Sequence, residues 1–413
     1  MNRFLCLIIS SLILSISFFS ACSKINDNPT IREREIAEFY EINRINTLTL
    51  FLPVIYGTSE EEPEELFKIV HITDAHVSRW SRGNHYENPN NLKEAVSFAN
   101  DPAIKINAMV STGDHISNHI ATTREDATQF MNNFAKTYYR NDNYIPSFIA
   151  TGNHDINMLN PDFASYAISK TELYNLLTSK INYNVSSPGK ENYYYADVIN
   201  PMGGTIRFIA LDVTDQDFMI YNAQYNAIFS QKQIDWLCHT ALKKNMTEHH
   251  SVIVLIHNPL PPQNEELANN MHGHFLHNWN MIPEIVEAFR TKQNLTKKYR
   301  NRLVVSDSIS VDISFNNSPG EFICYLGGHL HTYLDYEVKS SSNSTLPNQL
   351  MIIANNMSAS EKSATTNIDR SDTGLQNNTF NVYAIDTKKK IIYVTFFGAT
   401  SLYYPQVLTL RYL

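Results

Sequence analysis

Five short segments place carboxylate, amide and imidazole side chains directly after apolar stretches of the chain. They are Asp74-Ala75-His76, Gly113-Asp114, Gly152-Asn153-His154-Asp155, His257-Asn258 and Gly328-His329-Leu330-His331. Oxygen and nitrogen donors of these types bind zinc, manganese and iron. The sequence therefore predicts a metal centre, provided that the elements before these segments end at one place.

The spacing inside the segments supports this chemistry. Asp74 and His76 have one residue between them, so in extended backbone both side chains point the same way. The carbonyl oxygen of Asn153 can serve as a neutral ligand, and the neighbouring His154 can reach a substrate without joining the metal. We expect Asp155 to orient His154, as carboxylates beside metal sites orient histidines.

Each segment also has an explanation that involves no function. Gly113-Asp114 is ordinary turn chemistry, and the stretch from Gly152 to Asp155 can be a turn that carries polar residues. A single histidine after a strand, such as His257, is more often a buried core residue. The metal interpretation is favoured because five strand ends finish in such residues.

The elements that must position these residues follow from the apolar pattern. Short apolar runs predict strands, and helical spacing lies between several of them, with expected caps at Thr122 with Glu125 and at Ser230 with Gln233. This alternation predicts an α/β fold whose parallel strands gather ligands at their carboxyl ends. The predicted strands are Phe67–Thr73, Ala108–Thr112, Ser147–Ala150, Asn192–Val198, Thr205–Leu211, Ser251–Ile256, Phe322–Leu326 and Leu350–Ala354, followed by a hairpin at about 380–398.

Composition restricts the class of protein. The chain has 413 residues, of which 43% are hydrophobic and 18% charged, which is typical of a globular protein. A net charge of -8 without a sustained basic run argues against a nucleic-acid-binding surface. We expect His71 to be a core or edge residue with satisfied polar atoms. Cys238 and Cys324 lie in apolar patterns, which predicts two buried thiols rather than a disulfide.

The N-terminus has the features of an export signal. A single positive charge and a short apolar run predict a signal peptide over residues 1–21. The stretch Phe19-Ser20-Ala21-Cys22 resembles the lipobox of bacterial lipoproteins, which implies a lipid on Cys22 that anchors an exported protein in the periplasm or at the cell surface. The alternative is a plain secretory peptide that is cut nearby. Residues 22–65 are expected to be a tether, and 66–413 one domain with an insertion at about 260–320.

The insertion contains three histidines, His272, His274 and His277. They could form a separate zinc site, but they lack cysteines and a fourth evident ligand, so a lid or substrate-facing loop is the favoured interpretation. Further candidate walls of a substrate pocket are Tyr86, Asn118 and His119.

Taken in order, the five segments resemble the calcineurin-like metallophosphoesterase family over the chain from about Phe67 to His331. The resemblance implies two mixed sheets packed face to face and flanked by helices. It implies one metal ion on Asp74, His76, Asp114 and His331, with Asp114 bridging to a second ion on Asn153, His257 and His329. His154 corresponds to the family residue that contacts phosphate and helps the leaving group depart.

The resemblance also implies the reaction. Two divalent or trivalent ions (manganese, zinc or iron) would support hydrolysis of a small-molecule phosphomonoester or phosphodiester by attack of a metal-bridging hydroxide. Ser117 stands where purple acid phosphatases carry a tyrosine, so the resemblance does not extend to an iron-tyrosinate site. The alternative function is a non-catalytic surface lipoprotein that keeps the fold for ligand binding. That alternative predicts the loss of at least one ligand, and none is missing from the sequence.

Overall fold

The structure is a computed structural model. It describes residues 41, 44, 65–78, 89–117, 123–158, 165–215, 229–271, 278–300, 308–338, 349–357, 378–398, 400 and 407–412. Several predicted features lie outside these residues. They are the signal peptide, Cys22, most of the tether, Tyr86, Asn118, His119, His272, His274 and His277.

The described part of the chain forms fourteen strands and six α-helices. The strands are β1 Phe67–Ile72, β2 Ala108–Thr112, β3 Ser147–Ala150, β4 Tyr194–Ile199, β5 Thr205–Ala210, β6 His250–Leu255, β7 Asn294–Arg300, β8 Ser308–Ser314, β9 Glu321–Gly327, β10 Leu334–Val338, β11 Gln349–Ile353, β12 Thr379–Asp386, β13 Ile391–Gly398 and β14 Leu408–Arg411. The helices are α1 Pro89–Ala99, α2 Arg124–Tyr138, α3 Lys170–Leu176, α4 Gln231–Trp236, α5 Glu265–Asn270 and α6 Met281–Thr291.

The first sheet has the strand order β14-β13-β12-β1-β2-β3. Its strands β1, β2 and β3 are parallel, with Ile69 opposite Ala108 and Met109 opposite Ser147, whereas β12 to β14 pair antiparallel. β1, β2 and β3 are buried along their whole length. Continuous apolar burial is typical of parallel strands that are covered on both faces.

The second sheet has the order β10-β11-β9-β6-β5-β4, with β5, β6, β9 and β11 parallel and an antiparallel strand at each edge. The inner faces of the two sheets share one apolar core, which includes Phe67 and Phe148 from the first sheet and Phe208 and Leu326 from the second. The two mixed sheets and their helices confirm the predicted fold class.

Each outer face is covered by helices. The outer face of the first sheet packs against α1, α2 and α3. The outer face of the second sheet packs against α4, α6 and the separate two-stranded sheet of β7 and β8, which lies within the range of the predicted insertion. The order is therefore helix, sheet, sheet, helix, the arrangement in which every apolar sheet face is buried.

The predicted strands match the observed ones to within two residues at each end, and the C-terminal hairpin forms as β12 and β13. Cys238 and Cys324 are free and buried, as predicted. His71 is fully buried, and its ring nitrogens lie 2.9 Å from the Tyr383 hydroxyl and 2.8 Å from Thr112 Oγ1. It is therefore the satisfied core residue that the sequence indicated.

Two expected helix caps differ from those observed. The N-cap of α2 is Thr123, whose hydroxyl accepts a hydrogen bond from the backbone of Asp126, so the expected start was one residue early. Ser230 does cap α4, but Gln233 does not complete a capping box. Its side-chain amide bonds to the backbone of Asp212 instead, because the end of β5 offers an unpaired backbone donor and acceptor there.

Three residues of the predicted tether are described, Glu41, Arg44 and Glu65. Glu41 and Arg44 are helical, and the Arg44 guanidinium donates to Asp101 Oδ2, just after the end of α1. None of the helices in the described part of the chain is both long enough and apolar enough to cross a membrane.

Candidate metal centre

The five chemically suggestive segments all lie at carboxyl ends of parallel strands. Asp74 and Asp114 follow β1 and β2, and Asn153 follows β3, all in the first sheet. His257 follows β6, and His329 and His331 follow β9, both in the second sheet. Because the sheets pack face to face, the five loops meet at one edge of the sandwich, where α/β folds gather ligands.

Three side chains converge at what we call the first position, defined by Asp74, His76 and His331. Asp74 Oδ1 lies 3.2 Å from His331 Nε2 and 3.7 Å from His76 Nε2. The two imidazole Nε2 atoms are 3.0 Å apart. Asp74 and His76 are buried, so bulk water does not separate these polar atoms.

A second group converges at the second position, defined by Asp114, His257 and His329. Asp114 Oδ2 is 3.1 Å from His257 Nε2, and His257 Nε2 is 3.3 Å from His329 Nδ1. The side-chain oxygen of Asn153 lies 3.1 Å from His257 Nε2 and 3.0 Å from His329 Nδ1. The amide oxygen therefore points at the same small space as the two imidazoles.

Asp114 lies between the two positions. Its Oδ2 atom is 3.1 Å from His257 Nε2 at the second position and 4.0 Å from His76 Nε2 at the first. A third group of possible ligand atoms, His76, Asp114 and His154, joins the two. One carboxylate is thus within reach of both positions, which is the placement that a bridging ligand needs.

The tautomer of His257 shows what this space can hold. His257 Nδ1 lies 2.7 Å from the backbone oxygen of Thr112, which can only accept, so Nδ1 carries a proton. In the neutral ring, Nε2 is then an acceptor that faces Asp114 Oδ2 and Asn153 Oδ1, which are acceptors too. Acceptors that converge in this way are satisfied by a cation at their centre.

The charges around His257 also favour a cation at this site. Burial lowers the pKa of His257, but the negative charge of Asp114 outweighs it and raises that pKa to about 9. The field that favours a proton on this buried imidazole also favours a metal cation beside it. Nitrogen and oxygen donors with at least one carboxylate suit zinc, manganese or iron, so the residues fit the predicted group.

The two aspartates are held in their charged form. Burial by itself would raise the pKa of Asp74, but hydrogen bonds from His331 and His76 outweigh it and hold the pKa well below its usual range. Burial opposes ionisation of Asp114 as well, and the neighbouring His257 and His154 lower its pKa despite this. Both carboxylates are therefore available as anionic ligands at neutral pH.

The loop backbones are bent sharply to aim these side chains. Asp74, His76, Asp114, His329 and His331 all have φ between 45° and 72°. Residues other than glycine pay about 1–2 kcal/mol each for left-handed backbone. Backbone bonds between the loops oppose this cost, such as the amide of Asp74 with the carbonyl of Gly113 and that of His76 with Asp114, both at 3.0 Å. Strain of this kind concentrates at functional sites.

Gly113 and Gly152 allow the loops to approach each other. Gly113 has φ of 98°, and a Cβ atom on it would lie 2.6 Å from His257 Nδ1. A Cβ on Gly152 would overlap the carboxylate of Asp114. Glycine is therefore required at both places for the ligands to sit where they do.

His154 lies at the mouth of the cluster. Its backbone N–H donates to Asp114 Oδ1 at 2.9 Å, and its Nε2 atom is 3.9 Å from Asp114 Oδ2. Its side chain is 23% exposed, whereas Asp114 is 2% exposed, so His154 is the member of this pair that faces solvent. A group there can reach a molecule that approaches the metal positions.

Asp155 has a different partner from the one expected. Its carboxylate accepts hydrogen bonds from the backbone of Gly152 at 2.8 Å and of His115 at 2.7 Å, and it lies 2.8 Å from His115 Nδ1. The expectation that Asp155 orients the His154 ring is wrong in this respect. The reason is geometric, because the turn after β3 directs Asp155 back under the loop while His154 faces outward.

Four further residues support the cluster, and sequence analysis did not single them out for this. Thr73 donates to Asp74 Oδ2 at 2.7 Å, and the Thr112 carbonyl accepts from His257. His115 holds Asp155, and Asp212 accepts a bond of 2.6 Å from Thr151. Only His115 had a visible signal, since it directly follows the predicted ligand Asp114. Thr73 bonds to the adjacent Asp74, whereas the contacts of Thr112 and Asp212 join distant segments through backbone or hydroxyl groups.

Comparison with known proteins places this geometry in a family. A sequence profile described as "Calcineurin-like phosphoesterase" matches residues 67–333. No curated protein matches the chain. Among solved structures, the NAD nucleotidase NadN of Haemophilus influenzae resembles the chain with a TM-score of 0.35 and 11% identity, over 80% of this chain and 49% of that one. The chain thus spans about half of that protein's length, and a TM-score this low supports no inference about substrate.

The match covers both sheets' ligand-bearing strands, from the first residue of β1 to just beyond His331. It extends over more than half of the 413 residues, and it includes every residue of the first and second positions. The chain therefore belongs to the calcineurin-like phosphoesterase family.

Proposed function

We propose that this protein hydrolyses phosphoesters of small molecules at a binuclear metal centre. The observation that carries the proposal is the convergence of three overlapping Asp and His groups, each with its ligand atoms within 4.8 Å of one another. Family membership supports a hydrolase of this general kind. The choice between a phosphomonoester and a phosphodiester depends on pocket walls, and the candidates Tyr86, Asn118 and His119 lie outside the described residues.

We assign the ligands as follows. Asp74, His76 and His331 would hold one ion, and Asn153, His257 and His329 would hold the other, with Asp114 shared between them. Two such ions, of manganese, zinc or iron, would lower the pKa of a water between them and neutralise phosphoryl oxygens. The protein's own part is to supply negative charge from two buried aspartates and to exclude bulk water from the space between the sheets.

His154 would act on the substrate itself. It is the more exposed group beside Asp114, and its imidazole can donate a hydrogen bond to a phosphoryl oxygen or a proton to the leaving group. In this proposal His154 is a catalytic residue, and Asp155 supports the loop that carries it.

The test is hydrolysis by metal-loaded protein that lacks residues 1–22. Protein reconstituted with manganese or zinc is assayed on bis-p-nitrophenyl phosphate and p-nitrophenyl phosphate, and the metal-free protein serves as the control. Metal-dependent release of p-nitrophenol is the expected result. The preferred ester would then distinguish phosphodiesterase from phosphatase activity.

The alternative is a binding protein that keeps the fold without catalysis. Protein that contains two ions for each chain and hydrolyses neither ester would favour this alternative. The complete set of seven predicted ligand residues argues against it, because a purely binding role would not require all of them to be retained.

We also propose that the protein is exported and anchored through a lipid on Cys22. The resemblance of residues 19–22 to a lipobox is the support for this. Replacing Cys22 with alanine should move the protein from the membrane fraction to the soluble fraction of the host cell. Equal membrane association of both forms would contradict the anchor.

A further inference from the structure

A buried pair, His115 and Asp155, joins the loop after β2 to the loop after β3. Asp155 Oδ2 lies 2.8 Å from His115 Nδ1, and Asp155 Oδ1 accepts the backbone N–H of His115 at 2.7 Å. The backbone N–H of Gly152 donates to Asp155 Oδ2 at 2.8 Å. A single carboxylate therefore holds the two loops together through three contacts.

Each of these loops carries a ligand of the second position. Asp114 directly precedes His115, and Asn153 lies two residues before Asp155. A bond in the opposite sense, from the backbone of His154 to Asp114 Oδ1 at 2.9 Å, completes the connection between the loops. Any shift of one loop against the other changes the separation of the Asp114 carboxylate and the Asn153 amide oxygen.

His115 lies where it can connect the two loops but cannot contact a substrate. It is fully buried, and the edge of its ring packs on Phe134 of α2 with the ring centroids 4.4 Å apart. Its Nε2 atom has no hydrogen-bond partner among the described residues. The carboxylate contact thus places the proton on Nδ1, since a proton on Nε2 would leave a buried donor unsatisfied at a cost of about 1–3 kcal/mol.

We propose that His115 and Asp155 are positioning residues that set the affinity of the second metal position. The inference rests on the proposed binuclear centre. The pair acts on metal binding through the distance between two loops, and it takes no part in the chemical step. Partners of this kind typically change metal affinity by about 10- to 100-fold.

The experiment compares His115→Leu with His115→Asn in the full-length protein. Leucine fills a similar volume without a donor, whereas the asparagine amide can place an N–H group where Nδ1 stands. Calorimetric titration of metal-free protein with Mn²⁺ measures the two binding steps. We expect His115→Leu to weaken one step by about 10- to 100-fold and the other step less, because Asp114 is shared between the two positions. His115→Asn should recover most of the lost affinity.

A matched control separates positioning from loss of stability. Thr178→Val removes another buried bond between side chains, from Thr178 Oγ1, at the start of the short 3₁₀ helix Thr178–Lys180, to Asn192 Oδ1 at 2.9 Å. This variant should lower the melting temperature to an extent comparable with His115→Leu and leave both Mn²⁺ affinities unchanged. A spectroscopic signature adds a test without metal, because ¹⁵N-histidine NMR of the metal-free protein should show the His115 proton on Nδ1.

The outcomes distinguish this inference from the proposed function. Wild-type protein that binds no Mn²⁺ would overturn both. Wild-type protein that binds two ions while His115→Leu binds them equally well would overturn the positioning role alone. So would a proton on Nε2, or a His115→Asn variant that is as weak as His115→Leu.

Discussion

The two sheets contribute different chemistry to the same edge of the sandwich. The first sheet provides all the candidate oxygen ligands, from Asp74, Asp114 and Asn153, together with His76, whereas the second provides candidate imidazole ligands alone, from His257, His329 and His331. Negative charge thus comes from one sheet and most of the imidazole nitrogen from the other. Neither sheet presents a complete ligand set, so the centre exists only when the sheets are packed together.

The pKa values of four carboxyl groups show the effect of neighbouring imidazoles. Asp74 and Asp114 are fully buried, yet neighbouring histidines keep their pKa values low. For Glu94 on α1, on the outer side of the first sheet, burial is the largest influence and raises the pKa to about 7. Asp212, at the end of β5, is also buried, and burial with the nearby Asp215 raises its pKa. Facing imidazoles, rather than exposure, decide which buried acids stay ionised here.

The largest effect should come from removing the shared carboxylate of the first sheet. Asp114→Asn keeps the shape of the side chain but removes the negative charge that both positions use. We expect turnover to fall below detection and bound metal to decrease, measured by p-nitrophenol release and by elemental analysis. Activity close to wild type would show that the first sheet's charge is not what the centre depends on.

Removing one imidazole of the second sheet should affect one position. His257→Gln deletes the ring that lies 3.1 Å from both Asp114 and Asn153, and leaves Asp74, His76 and His331 in place. We expect bound metal to fall from two ions to one for each chain, with most turnover lost. Retention of two ions would mean that the second sheet's contribution is dispensable.

His154 belongs to the first sheet but faces solvent, which sets it apart from the ligands. His154→Ala should retain the metal content of the wild type and lower the rate by about 10²- to 10⁴-fold, the usual contribution of a general acid. Elemental analysis beside the rate measurement decides the matter. Metal loss equal to that of Asp114→Asn would refute the division between ligand and catalytic residue.

The smallest effect concerns the pH dependence of stability that comes from Glu94. Glu94 has an ordinary pKa of 4.5, and folding raises it to about 7, so the folded protein binds more protons between these values. Stability should therefore fall as pH rises from about 4.5 to 7, by at most about 3 kcal/mol. Denaturation of Glu94→Gln at pH 5 and pH 8 should lack this dependence. An identical pH dependence in both proteins would contradict the assignment.

The candidate ligands could be predicted from the sequence because each one is marked by its immediate neighbours in the chain. A buried parallel strand is a short apolar run, and its last residue is where the chain changes to Gly, Asp, Asn or His, as at Thr112 to Asp114. The supporting contacts have no such signal. Gln233 was expected to complete a capping box, but its side chain bonds to the backbone of Asp212. Asp155 was expected to contact His154, but its carboxylate contacts His115. In both cases the observed partner belongs to a segment that is distant in the sequence.

The sequence by itself determined which residues could bind metal, because donor type, apolar strands and glycine positions can each be recognised from a short stretch of the chain. It also determined the helix and strand alternation that brings strand ends to a shared edge. Only the tertiary structure decided that Asp114 lies between two groups of imidazoles and that His115 and Asp155 join two loops. Those facts depend on how two sheets pack across a common core, and atomic distances across that core are set by all the side chains between them.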